Sequence, residues 1–252
     1  MDMKALITGA SSGIGRDMAR ELARRGYDLI LTARRQDRLE ALKGELNAAV
    51  RILPFDLSKK EDCLALYEAV RDEDIEILVN NAGFGVYGSF DETDLDRELS
   101  MLSVNITAPH ILTKLFLRDF MAKNRGYILN VSSVAAFQPG PLLAGYYASK
   151  AYVQNLTEAV YEELRRAHSA VSVSTLCPGP VRTEFDTTAG VHFSMEGLTS
   201  GFVARYAIKH MFLRRLVIIP GLPLRAVRLF GRFVPRKLLL RMVYRIQRRK
   251  HA

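Results

Sequence analysis

Near the start of the chain, Leu6-Ile7-Thr8-Gly9-Ala10-Ser11-Ser12-Gly13-Ile14-Gly15 sets the terms for everything after it. An apolar run enters a cluster of small residues, and then Ile14, Met18 and Leu22 repeat every four residues. That order reads as a buried strand, a tight turn and a helix with one apolar face. Gly9, Gly13 and Gly15 let the backbone turn sharply and come close to a ligand where a Cβ would collide. The first amides of the helix have no partner within it, and the helix dipole favours an anion there. A dinucleotide pyrophosphate suits such a turn. A strand-to-helix turn with no ligand can need the same glycines, so features further along must decide.

The rest of the chain repeats the alternation. Expected strands run from Met3 to Ile7, Tyr27 to Ala33, Arg51 to Phe55, Glu76 to Val79, Tyr127 to Val131 and Val171 to Leu176. Between them lie helical patterns: Leu39, Leu42 and Leu46, a segment opened by a Ser58-x-x-Glu61 capping box, a long stretch from Asp94 to Lys123 containing Asn105 and Pro109, and Tyr146 to about His168. Gly26 stands where the first helix needs a C-terminal cap. Nearly all-apolar strands alternating with helices predict a doubly wound parallel sheet covered on both faces, an α/β fold. Ligands bind such sheets beyond the carboxyl ends of the strands. Gly9 to Gly15, Arg34, Asp56, Asn81, Ser133 and Pro178 all follow strands.

Tyr146 and Lys150 lie four apart on one expected helix and therefore share a face. A tyrosine with its ordinary pKa near 10 is a poor acid or base at neutral pH. An ammonium beside it favours the phenolate and lowers that value, which makes Tyr146 a general acid/base. Ser133, at the end of the preceding strand, can hold a carbonyl or hydroxyl against the phenol. Tyr147 adjoins Tyr146, but only Tyr146 stands four before the lysine.

These motifs resemble the short-chain dehydrogenase/reductase family over residues 3 to 185. The resemblance rests on Thr8-Gly-Ala-Ser-Ser-Gly-Ile-Gly15, Asn80-Asn-Ala-Gly83, Asn105, Ser133, Tyr146-Tyr-Ala-Ser-Lys150 and Pro178-Gly-Pro-Val-Arg-Thr183. It implies a single-domain, Rossmann-like enzyme with Asn105, Ser133, Tyr146 and Lys150 as its catalytic set. Asn105 would kink a helix and keep a proton-relay water in place, and Lys150 would hold the nicotinamide ribose. Cofactor contacts would come from Gly9, Ser11, Ser12, Gly13, Ile14, Gly15, Arg34, Asp56 with Leu57, Asn81, Ala82, Gly83, Pro178, Gly179, Val181 and Thr183. Asp56 would meet adenine, while Val181 and Thr183 would hold the carboxamide. The expected reaction is hydride transfer between a nicotinamide cofactor and a carbonyl or alcohol.

The second strand bears on NAD against NADP. It ends Thr32-Ala33-Arg34-Arg35, with no carboxylate before Asp37 to hold a ribose 2′-hydroxyl. Arg34 can bind a 2′-phosphate bidentately, so NADP is expected. Arg16 could contribute, and Arg34, Arg35 and Arg38 could equally form a solvated helix start. Phe84, Phe137, Leu142, Leu143, Phe185, Phe193, Met195 and Leu198 in the expected loops favour a lipophilic substrate.

Charge divides the chain. Glu196 is its last acidic residue, and from Gly197 onward there are 14 Lys and Arg. The preceding part carries 22 basic and 27 acidic side chains, a balance of −5. We therefore expect a catalytic domain over residues 1–221, with a substrate lid at about 184–205, and a basic amphipathic extension over 222–252. The extension can pack on the body or a partner subunit, in a homodimer or homotetramer, or lie on an anionic membrane surface. Nothing suggests specific nucleic-acid binding. His110, His168, His192, His210 and His251 show no metal-ligand spacing, and no metal is expected. Cys63 and Cys177 form no C-x-x-C pair and read as reduced structural thiols, and with no leader or apolar span expected, the cytoplasm is the expected compartment. The reading from a different class is a cofactor-binding regulatory or scaffold protein apposed to a membrane through its tail.

Overall fold

The structure, a computed structural model, describes residues 3–185, 197–221, 224 and 234–248. Nine strands are described: β1 (Lys4–Thr8), β2 (Asp28–Thr32), β3 (Val50–Ile52), β4 (Ile75–Asn80), β5 (Tyr127–Val131), β6 (Ser172–Leu176), β7 (Val181–Arg182), β8 (Leu198–Thr199) and β9 (Val217–Ile218). Seven of them form one parallel sheet in the order β3-β2-β1-β4-β5-β6-β9, and β7 and β8 pair separately. The helices are α1 (Gly13–Arg24), α2 (Gln36–Glu45), α3 (Lys60–Glu68), α4 (Leu95–Leu102), α5 (Ala108–Lys123), α6 (Ala144–Arg166), α7 (Ser200–Phe212) and α8 (Arg236–Arg248). This is the doubly wound arrangement expected from the alternating pattern.

Successive side chains of a strand point to opposite faces, and both faces are buried. Ala5, Ile7, Leu29, Leu31, Ile77, Val79, Leu129 and Leu176 pack on one side against Met18 and Leu22 of α1 and Val203, Ile208 and Met211 of α7. Leu6, Ile30, Leu78, Ile128 and Val173 pack on the other against Cys63 and Leu66 of α3, Leu112, Phe116 and Phe120 of α5, and Val160 and Leu164 of α6. Both cysteines are buried, and neither forms a disulfide.

Two local expectations need correction. The third strand ends at Ile52 rather than Phe55, because pairing with β2 stops there. The Ser58 capping box does not form. Asp56 takes both the backbone N–H and the hydroxyl of Ser58 (3.1 and 2.9 Å), and α3 begins later with no side-chain cap. The long central helix runs unbroken from Leu95 to Lys123 as expected, with a wider turn of π-helix, Ser103–Thr107, joining α4 to α5 and Asn105 inside it. Asp94 caps the N-terminus of α4 by accepting from Arg97 N at 2.8 Å.

The sheet also gains β9, which the sequence pattern does not single out. The order reverses between β1 and β4, so their carboxyl ends open the crevice where such sheets take ligands. Thr8 ties the two lips together. Its hydroxyl accepts from Asn81 N (2.9 Å) and Ala82 N (3.0 Å) and donates to Val79 O (3.3 Å). The Asn81 amide donates back to the carbonyls of Thr8 and Gly9 at 3.0 and 3.2 Å.

Candidate active site

At this switch point lies a cavity of about 420 Å³, a size within the range of cofactor and ligand sites. Gly9, Ser11, Ser12, Gly13 and Ile14 form one end, and Ser133, Tyr146 and Lys150 lie on its wall. Asn81, Ala82 and Gly83 line it between them, and Arg34, Asp56, Leu57, Pro178, Gly179, Val181 and Thr183 complete the set expected from the sequence. Gly15 and Asn105 stand behind the wall rather than on it.

The glycine turn has the shape of a cradle. Gly9 has φ +65°, and a Cβ there would come within 2.8 Å of Ala82 Cα. Ser12 precedes α1 in extended backbone with no side-chain cap, and no acidic residue sits in the first turn. The amides at this helix start are thus left for an anion. The residues present fit a dinucleotide phosphate.

Lys150 is 5% exposed. Its ammonium donates to Val131 O at 2.9 Å and lies 5.8 Å from the centre of the Tyr146 ring. Ser132 and Ser133 separate by role. The Ser132 hydroxyl donates to Lys150 O at 2.8 Å, whereas the Ser133 hydroxyl donates to Pro178 O at 3.4 Å and stands beside the Tyr146 phenol. Ser133 Oγ also accepts from Ala135 N at 3.1 Å. Asn105 is buried with its amide engaged: it accepts from Phe84 N and donates to Phe84 O and Ser149 Oγ (3.1, 2.9 and 3.0 Å). It thereby fixes the loop after Gly83.

The electrostatics differ from the expectation. Burial pushes the Tyr146 hydroxyl well above the ordinary phenol pKa, and the Ser133 hydroxyl beside it only partly offsets the rise. Lys150 does not lower it, because that ammonium is turned to a backbone carbonyl and is itself pushed down to about 8 by burial. Below pH 8 Lys150 is charged in both folded and unfolded chains, and burying the charge opposes folding by about 3 kcal/mol. As pH rises from about 8 towards 10.5, the folded chain releases its proton first and the opposition fades. Denaturant titrations of wild type and Lys150→Met should therefore diverge in slope: wild type gains stability relative to the variant between pH 8 and 10. Parallel curves would show that the lysine titrates normally.

Three residues enter the site that the motifs did not single out. Arg35 donates to Ser11 Oγ and Ser12 Oγ, both at 3.2 Å, and to Glu184 at 2.9 Å. Glu184 also takes Arg38 and lies on the cavity wall with Arg34 and Arg35. Arg16 does not reach the cavity; it lies 3.8 Å from Asp17. Tyr147 lines the cavity beside Tyr146, and its hydroxyl accepts from the side-chain N–H of Gln247 in α8. Burial pushes the Tyr147 hydroxyl up to about 12. Phe185 closes over Tyr146, with ring centres 5.3 Å apart. Phe193 and Met195, expected near the substrate, lie with residues 186–196, half of the expected lid, outside the described residues. Among the described residues no group of His, Cys, Asp and Glu is placed to hold a metal.

The comparisons with known proteins agree with this geometry. Residues 3–191 match the family described as short chain dehydrogenase. Hydroxysteroid dehydrogenase-like protein 1 of Gallus gallus is 35% identical over 187 residues, which is 71% of this chain and 56% of that protein. The chain thus spans little more than half the length of that relative. A solved short-chain dehydrogenase from Sphingobium yanoikuyae in complex with NADPH superposes with a TM-score of 0.82 at 34% identity, covering 91% of this chain and 93% of the other. One from Burkholderia phymatum in complex with NAD gives 0.83 at 26% identity, covering 92% and 93%.

Proposed function

The chain belongs to the short-chain dehydrogenase/reductase family of NAD(P)-dependent oxidoreductases, and from that premise we propose that it is an NADP(H)-dependent enzyme interconverting a lipophilic ketone or aldehyde and its alcohol. The observation that carries the reading is the joint placement of Ser133, Tyr146 and Lys150 on the wall of a cavity whose far end is the glycine turn. The nicotinamide, when bound, supplies or accepts the hydride at the substrate carbon. In the reducing direction Tyr146 delivers a proton from Oη to the substrate oxygen, and Ser133 holds that oxygen in line. Lys150 holds the nicotinamide ribose, whose approach adds the polar partner that burial denies the phenol in the free chain. Gly9 to Gly15 and the α1 amides take the pyrophosphate, Asp56 with Leu57 the adenine, and Val181 with Thr183 the carboxamide.

Arginines without a carboxylate at the end of β2 support NADP over NAD, and the structure adds Arg35 to Arg34 as a candidate for the 2′-phosphate. Glu184 already holds Arg35 and Arg38, and a 2′-phosphate must displace it. Glu184→Gln is therefore expected to tighten 2′,5′-ADP about fivefold, the scale of one exposed ion pair, and to leave 5′-ADP unchanged in calorimetric titrations. Arg35→Ala should weaken 2′,5′-ADP about tenfold. Equal effects on the two nucleotides would sink the NADP assignment.

Leu143, Phe84, Phe185 and Tyr147 on the cavity wall support a lipophilic substrate, as does the likeness to the hydroxysteroid dehydrogenase-like protein of Gallus gallus. Oxidation of NADPH with a panel of long-chain, cyclic and sugar carbonyls tests the reading. Turnover of sugar ketones alone would overturn the lipophilic assignment. Residues 1–221 form the catalytic unit in this reading, with 184–205 as the lid. Two buried cysteines outside any disulfide support a reducing, cytoplasmic compartment. Exposed Leu95 and Leu99 on α4 and Met121 on α5 support a homo-oligomer.

A further inference from the structure

Helix α8 presents three different faces. Val243 and Gln247 are 4% and 1% exposed and turn toward the body, where Tyr87 Oη donates to Gln247 O at 3.4 Å. Lys237, Arg241, Arg245 and Arg248 are all exposed and follow one another along a flank. On the other flank Leu238, Met242 and Ile246 are 50%, 47% and 56% exposed. Spaced four apart, they stack into one apolar stripe in water. The helix contains no acidic residue, nor does any part of the chain after Glu196.

We propose that α8 docks flat on an anionic lipid surface. Leu238, Met242 and Ile246 enter the boundary of the acyl chains, and Lys237, Arg241 and Arg245 meet the phosphate headgroups beside it. Charge complementarity selects this occupant. An antiparallel two-fold contact with a second copy through the same stripe would set basic flank beside basic flank. A nucleic acid would satisfy the flank and leave the stripe in water. Thirteen residues of helix make about 20 Å, short of the roughly 30 Å hydrocarbon core, so the helix lies on the membrane rather than across it. Among the described residues no helix is long and apolar enough to span.

The inward face of the same helix touches the active site. Gln247 donates to Tyr147, a wall of the cavity, so the lipid surface and the cavity lie on opposite sides of one helix. A lipophilic carbonyl leaving the bilayer would enter beside Tyr147. The docking rests on the faces of α8 alone, and only this delivery route rests on the function proposed above.

Co-sedimentation of the full chain with vesicles tests the docking. One set is phosphatidylcholine alone and the other contains phosphatidylglycerol. We expect binding to the mixed vesicles at least about tenfold tighter than to the neutral ones, weakening as salt rises. Leu238→Ser/Met242→Ser/Ile246→Ser, which alters only exposed side chains, should lose that binding at least tenfold with unchanged turnover of a soluble ketone. Arg241→Gln/Arg245→Gln should weaken it about fivefold per charge. No binding to mixed vesicles would overturn the proposal. So would undiminished binding by the triple variant, which would indicate adsorption by charge alone, or self-association in sedimentation velocity that the triple variant abolishes.

Discussion

Tyr146→Phe is expected to lower kcat by about a thousandfold while leaving NADPH affinity and thermal stability close to wild type. Proton transfer by a positioned side chain contributes about a hundred- to ten-thousandfold, and the phenylalanine keeps the ring packed against Phe185. What it removes is one buried hydroxyl beside Ser133, and a polar contact of that kind is worth about 1 kcal/mol of stability. Stopped-flow measurement of NADPH oxidation with the best carbonyl of the panel, beside fluorescence titration of NADPH, separates the two effects. A variant that retains more than about a tenth of wild-type turnover would show that Tyr146 does not handle the proton. Burial holds this phenol well above its ordinary pKa in the structure.

Gly15→Ala should have the largest effect on the fold and the cofactor together. The new Cβ would stand 2.5 Å from the carbonyl oxygen of Gly9 and press into the Asn81 amide. Neither neighbour can yield cheaply: one is backbone, and the other is pinned to the carbonyls of Thr8 and Gly9. Overpacking of this kind costs about 3 kcal/mol, which for a chain of this size lowers Tm by about 10 °C. Dinucleotide affinity should fall at least about tenfold, since the amides that face the phosphate move with Gly9. Calorimetry and NADPH titration check the two halves of the prediction. An unchanged Tm would mean that the turn relaxes freely around a methyl group.

The sheet was legible because its strands carry apolar residues on both faces. Leu6 and Ile7 bury on opposite sides of β1, a run that fits few other folds. The cavity residues were legible as motifs, since the turns that follow parallel strands must converge at one edge. Less could be read where an interaction depends on a distant partner. Val217 and Ile218 form a strand only because β6 offers an edge, and two residues carry no periodicity. Ser58 looked like a helix cap, but Asp56 competes for it at closer range. The direction of the Tyr146 shift depends on where the Lys150 ammonium points, and a spacing of four residues gives proximity without orientation. Arg35 and Arg34 are neighbours in a basic run. Only the carboxylate of Glu184, far along the chain, shows which arginine spans the cleft. Gln247 had no local signal, because its partner Tyr147 lies a hundred residues away.

That last contact orders events during synthesis. The chain leaves the ribosome from the glycine turn onward, and the nucleotide cradle has all its described parts once Thr183 has emerged. The wall at Tyr147 must wait for α8, whose Gln247 is among the last described residues to be made. A nascent chain paused after α7 would therefore hold nucleotide beside an unfinished substrate side. The dinucleotide cradle is complete before the cavity wall beside Tyr147, and limited proteolysis of stalled chains with and without NADPH would show the first arriving before the second.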